Sequence, residues 1–390
     1  MKILIIPSWY PHPKDPLAGR FFLDQAAALA KHSNHSYQIL NYGQNRFQIR
    51  IKRAFSNLAV IKDLRNAKQE RLRLADRLEE IRIPHLSWTS RLAGGNLMGF
   101  DLPDELKPDL IYALVSYPAG YLAMRLAEKW KIPYIIAEHS GPFPFPEFVH
   151  GAKLSELLTK PIRNASHMIA VSSFLKEQIL THTGREAEII PNMIDTDFWV
   201  PGSSSRTAQE LKIFAMSAFT QAKGVEDLLS ALYILWRRKL SFSMTWAGDG
   251  PLHAQIRKKA AKLPISFCGT LNKMQARDQY QNCDLFVMPS RVESFSMVLI
   301  EAMSCGVPSV ATDCGGPSDI IQAHTGLLSK AEDPGAMANA ILSFNDHREV
   351  FDPSKIRASC IMRYNEKAVC EKLVSAFDRS IPFKDGFDGI

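Results

Sequence analysis

Short apolar runs alternate along the chain with longer stretches whose apolar positions recur at helical spacing. Ile3–Ile6, Leu110–Val115, Tyr134–Ala137 and Met168–Val171 have the length and content of buried strands. Between them, 21–32 (FFLDQAAALAKH), 119–130 and 173–181 read as amphipathic helices. The rhythm breaks over Pro191–Arg206 (PNMIDTDFWVPGSSSR), where two prolines, a glycine and three serines predict a linker. It then restarts, with strands at 212–216, 243–247, 265–268, 285–288 and 309–312. Helices are predicted at 225–238, 252–261, 274–283 and 296–304, and a last helical pattern covers 366–377. The pattern predicts an α/β protein of two doubly wound domains, each on a parallel sheet buried on both faces. The expected boundaries are 1–195 and 196–365, with a helix at 366–380 packing back on the first domain. Such sheets bind ligands beyond the carboxyl ends of their strands, so the expected site is a cleft between the two domains.

Composition narrows the class. The chain has 390 residues, of which 46% are hydrophobic and 22% charged, which excludes disordered and collagen-like proteins. No apolar run approaches the ~20 residues of a membrane span. The opening MKILII runs into Pro7 and is too short for a signal-peptide core. All six cysteines lie beyond residue 267, none in a CxxC pair, so they are expected to be small core residues in a reducing cytoplasm. The net charge of +7 permits an anionic partner without specifying one. Most of that excess lies between Arg46 and Arg82, which holds eleven Lys/Arg against five acidic residues. Phe47, Ile51, Phe55, Leu58 and Ile61 are interleaved with these cations. A surface helix on an anionic membrane and a merely solvated charged face both fit that stretch. Nucleic acid is not expected, because no stacking or recognition module accompanies the charge.

The strongest chemical signal is 293–301 (ESFSMVLIE), which follows the predicted strand 285–288. Phe295–Val298 is expected to form a first helical turn, whose free amides attract an anion. Glu293 precedes that turn and Glu301 lies about 12 Å further along the axis on the same side. One carboxylate could accept from a hexose and the other from a ribose, with the diphosphate between them. The pair could equally be a turn glutamate and a solvated one. A glycosidase pair would sit closer, at about 5–9.5 Å. Lys223-Gly224 stands between a strand and a helix, where a lysine is either a diphosphate contact or ordinary surface. Gly248-Asp-Gly-Pro251 lacks the third glycine of a dinucleotide fingerprint and reads as a tight turn. Cys268-Gly-Thr-Leu271 closes a strand near the same edge and could touch a base through its backbone. Asp313–Ser318 reads as another turn. In the first half, Gly19 near a helix start allows close backbone approach, and His139 ends a strand, either as a structural histidine or as a cleft-facing one.

These residues, continuing through Ala302-Met303, Gly306-Val-Pro308, Thr312-Asp313 and Gly315-Gly-Pro317, resemble the retaining GT-B glycosyltransferases of family 4. Lys223-Gly224, Gly248–Pro251, Pro191-Asn192 with Ile194-Asp195, and Gly19–Phe22 fit the same family in the same order, over roughly residues 1–380. The resemblance implies two facing Rossmann-like domains and retaining, metal-independent transfer of a hexosyl or N-acetylhexosaminyl unit from a nucleotide sugar. A UDP-sugar is favoured over a GDP-sugar, and no cofactor is implied. It places Glu293 and His139 by the donor hexose and Glu301 on the ribose. Lys223 and the amides near Ser296, Met297 and Val298 fall on the diphosphate, and Gly19 near the phosphates or the acceptor. With Leu271 near the base, these are the expected site residues. The family's usual Arg five residues before the lysine is Ala218 here, so that either another arginine, Arg20 or Arg291, substitutes for it or activity is weak. Tyr112-Ala-Leu114 also departs from the usual His-rich strand end. The expected acceptor is a cell-envelope glycan or a lipid-linked molecule, met in the cytoplasm or at the inner membrane face. An epimerase or phosphorylase on the same fold, or a non-catalytic sugar-nucleotide binder, is the alternative.

Overall fold

The computed structural model describes residues 1–11, 18–42, 70–83, 102, 104–151, 153–202 and 210–381. They divide into two compact units. The first comprises Met1–Ala170, Lys176–Ile190 and the chain from Cys370 onward. The second comprises Val171–Leu175 and Pro191–Val369.

The strands of the first unit are β1 (Lys2–Pro7), β2 (Ser36–Tyr42), β3 (Glu70–Ala75), β4 (Leu78–Ile83), β5 (Leu110–Leu114), β6 (Tyr134–Glu138), β7 (Val149–His150), β8 (Lys153–Leu154), β9 (His167–Ala170) and β10 (Glu188–Ile189). Eight of them form one sheet in the order β10-β9-β6-β5-β1-β2-β4-β3, and β7 pairs with β8 apart from it. Every pairing in the large sheet is parallel except β3 with β4. The central strands read KILIIP and LIYAL because both of their faces are covered; Ile3, Leu4, Leu110, Ile111 and Tyr112 are wholly buried. The helix Glu366–Ser380 delivers its second half to this unit. There Phe377 meets Tyr112 edge-on at 5.0 Å and Arg379 pairs with Glu188 at 2.6 Å.

The second unit holds β11 (Leu211–Met216), β12 (Phe242–Ala247), β13 (Ile265–Gly269), β14 (Leu285–Met288), β15 (Ser309–Asp313) and β16 (Gly326–Lys330). Their order is β13-β12-β11-β14-β15-β16, all parallel. The chain therefore reverses its direction of winding between β11 and β14. That switch point is where a sheet of this kind opens a crevice for a ligand.

Several expectations are corrected. The segment from Pro191 is less a linker than a packed strap: Ile194 bridges Asn365, Asn365 donates to Thr196 at 2.7 Å, and Trp199 is buried. The helix expected from Phe295 begins at Met297, because Ser296 has φ 107° and cannot continue a right-handed turn. Cys283, Cys305, Cys360 and Cys370 are buried as expected, whereas Cys268 is exposed and Cys314 half-exposed. The helices Glu156–Asn164, Pro334–Asp346 and Pro353–Tyr364 escape the periodicity reading. The last two announce themselves by Asp-Pro starts, in which Asp333 and Asp352 accept from backbone amides and the proline fills the first helical position. Of the cationic stretch 46–82, only Glu70–Arg82 lies among the described residues. It forms the antiparallel strands β3 and β4; the apolar residues 47–61 lie outside. No helix among the described residues is long and apolar enough to cross a membrane.

Candidate active site

Two loops meet at the switch point of the second unit. One follows β11 and ends in a short turn, Gln221–Lys223, capped by Gly224; the other follows β14 through Ser290, Arg291 and Glu293. The Arg291 amide donates to the Ala222 carbonyl at 2.9 Å, which ties the loops together. Lys223 Nζ consequently reaches Glu293 Oε1 at 2.6 Å, and Ser290 Oγ donates to the same oxygen at 2.8 Å. The side chains of Lys223 and Glu293 remain 33% and 16% exposed, so the pair borders solvent.

Gly224 makes this closeness possible. Its φ is 60°, and a β-carbon there would lie 1.9 Å from the Pro289 carbonyl oxygen. Gly224→Ala is expected to destabilise the second unit by about 3 kcal/mol or more, from left-handed strain plus the clash. Thermal melting checks this; a melting curve matching the unaltered chain would mean that the two loops are not pressed together.

A second brace comes from Cys314–Gly316. Glu293 N donates to the Cys314 carbonyl at 3.2 Å and Gly316 N to the Glu293 carbonyl at 2.9 Å. β-carbons at Gly315 and Gly316 would fall 2.6 and 2.4 Å from backbone oxygens of Glu293 and Ser294. The segment read as a mere turn is thus what fixes Glu293, and its paired glycines were the available signal. Burial pushes the Cys314 thiol up to about 11, so it stays neutral beside Glu293 at physiological pH.

Arg291 is not a free replacement for the missing arginine. It grips Asp227 through two bonds of 2.9 and 3.1 Å and reaches Glu332 at 3.1 Å. Those carboxylates hold its proton above the ordinary guanidinium range and occupy its fork. Its role is to brace the Lys223 loop. Arg20, in the first unit, pairs with Asp24 at 3.1 Å on an exposed face.

Ser296, at the helix entry, turns its hydroxyl onto Met288 Sδ at 3.0 Å, so only its backbone faces outward chemistry. Met297 and Val298 open the helix Met297–Ser304, where amides lack intrahelical acceptors. Glu301, further along that helix, accepts from the buried Tyr280 hydroxyl at 3.1 Å. Leu271 is half-exposed in the loop after β13, on the far side of β12 from β11.

In the first unit, Gly19 caps the helix Arg20–His32 with φ 63°, and a β-carbon there would strike the Trp9 carbonyl at 2.3 Å. His139 follows β6 and lies 5.5 and 5.1 Å from the rings of Phe21 and Phe22, next to Gly19 in the chain. The residue missed by the sequence reading is Glu138. It is wholly buried and accepts five bonds: from the Ser116 amide at 2.9 Å and hydroxyl at 2.5 Å, the His139 amide at 3.0 Å, and the Ser140 amide at 2.9 Å and hydroxyl at 2.5 Å. It clamps the carboxyl ends of β5 and β6 and so sets the backbone of His139.

Comparison with known proteins now bears on this geometry. A glycosyl transferases group 1 model matches residues 210–346, and a glycosyltransferase family 4 model matches residues 18–198. A Bacillus subtilis glycosyltransferase, TuaC, whose name assigns it to teichuronic acid biosynthesis, is 28% identical over 260 residues, 64% of this chain and 64% of its own length. Glycogen synthase of Mycobacterium tuberculosis is 25% identical over 320 residues, 75% of this chain and 72% of its own. Among solved structures, sucrose-phosphate synthase from Thermosynechococcus elongatus aligns with a TM-score of 0.74 at 16% identity, covering 97% of this chain and 99% of that one. Anabaena HepE, solved with UDP and glucose, gives 0.66 at 18% identity, covering 97% and 100%. Matched in part of each half by a glycosyltransferase model and built on two sheets of the Rossmann strand order, the chain has the GT-B fold of these glycosyltransferases.

Proposed function

We propose that this protein transfers a hexosyl or N-acetylhexosaminyl unit from a nucleotide sugar, with retention and without a metal, to a cell-envelope glycan or lipid-linked acceptor. The observation that carries the reading is the Lys223–Glu293 pair, held at 2.6 Å at the switch point of the second sheet. In this reading the diphosphate competes with Glu293 for Lys223, and the amides of Met297 and Val298 share the charge. Glu293 is left to accept from the hexose, with His139 on the same sugar. Glu301 takes the ribose, Leu271 lies beside the base, and Gly19 allows the phosphates or the acceptor close to the backbone.

The leaving diphosphate gathers negative charge as the anomeric bond breaks, and fixed donors stabilise that charge more than they stabilise the ground state. The retained leaving group then helps deprotonate the acceptor on the same face. UDP is favoured as the donor's nucleotide because HepE, with the same fold, is solved with it. The TuaC name supports a cell-envelope acceptor.

A calorimetric series of UDP-, GDP- and ADP-sugars, followed by donor turnover with membrane and glycan acceptor extracts, tests the proposal. The expected result is UDP-sugar binding and transfer at equal rates in EDTA and in magnesium. Donor binding without transfer, an epimerised donor, phosphate-dependent cleavage, or loss of activity on chelation with recovery in one metal would each contradict a named part.

A further inference from the structure

The second unit presents a charged surface at the far end of the helix that starts just after Lys223. Helix Val225–Arg237 ends in Trp236, Arg237, Arg238 and Lys239, and helix His253–Lys259 ends in Arg257, Lys258 and Lys259, with Lys262 just beyond. Residues 236–262 contain these seven cations and a single acid, Asp249. All seven are exposed. The two helix ends are joined, since the Tyr233 hydroxyl donates to the Lys259 carbonyl at 2.5 Å. Trp236 and Arg237 lie three and four residues after Tyr233, on the same side of their helix. Among the described residues, only Lys259 of the seven has a carboxylate in reach, Glu226 at 3.4 Å, while Arg238 donates to Asn339 at 3.0 Å.

Cations in a last helical turn are ordinarily explained by the helix dipole. That accounts for Arg237 and for the Arg257–Lys259 run. It does not account for Lys239, which sits just past the helix with φ 61°, a position where glycine is conformationally cheaper. Nor does it account for Lys262, or for Trp236, an indole left 48% exposed among the cations. A large amphipathic ring exposed at two joined helix ends rich in unpaired cations matches the water–lipid boundary, where the ring enters the headgroup layer and the cations meet anionic lipid. A single-stranded nucleic acid would want a groove with successive stacking rings, and here one tryptophan stands on two helix ends.

We propose that this face of the second unit, built from Trp236, Arg237, Lys239, Arg257, Lys258 and Lys262, docks the protein on anionic lipid membranes. The inference does not rest on the transfer reading and is separate from the stretch 46–82.

The full chain would be co-sedimented with vesicles of equal phosphatidylglycerol and phosphatidylcholine, and with phosphatidylcholine alone. Binding is expected only to the anionic vesicles and is expected to weaken as salt rises. Arg257→Glu with Lys258→Glu and Lys262→Glu is expected to weaken it at least about 50-fold. Brominated lipid should quench tryptophan emission in the unaltered chain and much less in Trp236→Phe. Thermal melting of both variants should be unchanged, which shows that they are folded and keeps the outcome independent of the transfer reading. No binding to anionic vesicles at low salt, binding indifferent to the triple reversal, or capture of single-stranded DNA in preference to vesicles would overturn the proposal.

Discussion

Lys223→Ala is expected to lower kcat by about 100- to 1,000-fold, the usual consequence of removing one preorganised group aimed at developing charge. On the proposed donor geometry the effect should be large, because Ala218 would leave one cation fewer around the diphosphate and Arg291 is held by Asp227 and Glu332. Stability should hardly change. The pair is partly exposed, and ion pairs of that kind contribute about 1 kcal/mol or less. Glu293→Gln should also act on turnover, since the Cys314–Gly316 brace still holds the backbone and Ser290 can still donate to the side-chain oxygen. Steady-state kinetics with the donor varied decides the matter. A change in KM alone would reassign Lys223 to ground-state binding, and unchanged rates in both variants would remove the pair from the site.

Glu138→Ala is expected to be the most damaging change in the first unit. It leaves five donors without their acceptor in a site that is wholly buried. An orphaned buried donor costs about 1–3 kcal/mol, and the two hydroxyls can turn away, so a loss of about 3–5 kcal/mol is expected. Glu138→Gln should lose less, because one carbonyl oxygen still faces the His139 and Ser140 amides. Hydrogen exchange over 110–140 and thermal melting report the loss; kcat/KM reports whether His139 has shifted with its backbone. Glu138→Ala within about 1 kcal/mol of the unaltered chain would mean that water fills the clamp without strain.

What could be read from the sequence was what repeats or borders a repeat. Strands such as KILIIP and LIYAL carry their burial in their composition, so the centres of both sheets were legible, whereas the more mixed β2, β3, β4, β10 and β16 were missed. Lys223 and Glu293 were legible because each follows such a strand. What escaped depends on contacts distant in the chain. Glu138 looks like any strand-terminal acid until Ser116, 22 residues earlier, is brought to it. Arg291 looks like a spare cation until Asp227, 64 residues away, closes on it. The strap after Pro191 looks like a linker because its turn residues are local, while Asn365 and Arg357, which hold it, are not. The start of the 297–304 helix was misplaced because a positive φ at a serine has no compositional mark.

The return of the last helix to the first unit fixes an order of events during synthesis. Residues 1–190 emerge early, yet the unit they build closes only with the chain from Cys370 onward. Roughly 180 further residues must be made before Phe377 can cover Tyr112, a wait of about 10–40 s at ordinary elongation rates. The chain of the second unit is complete at Val369, eight residues before Phe377 is made. The nascent protein is therefore born with its earlier half unsealed.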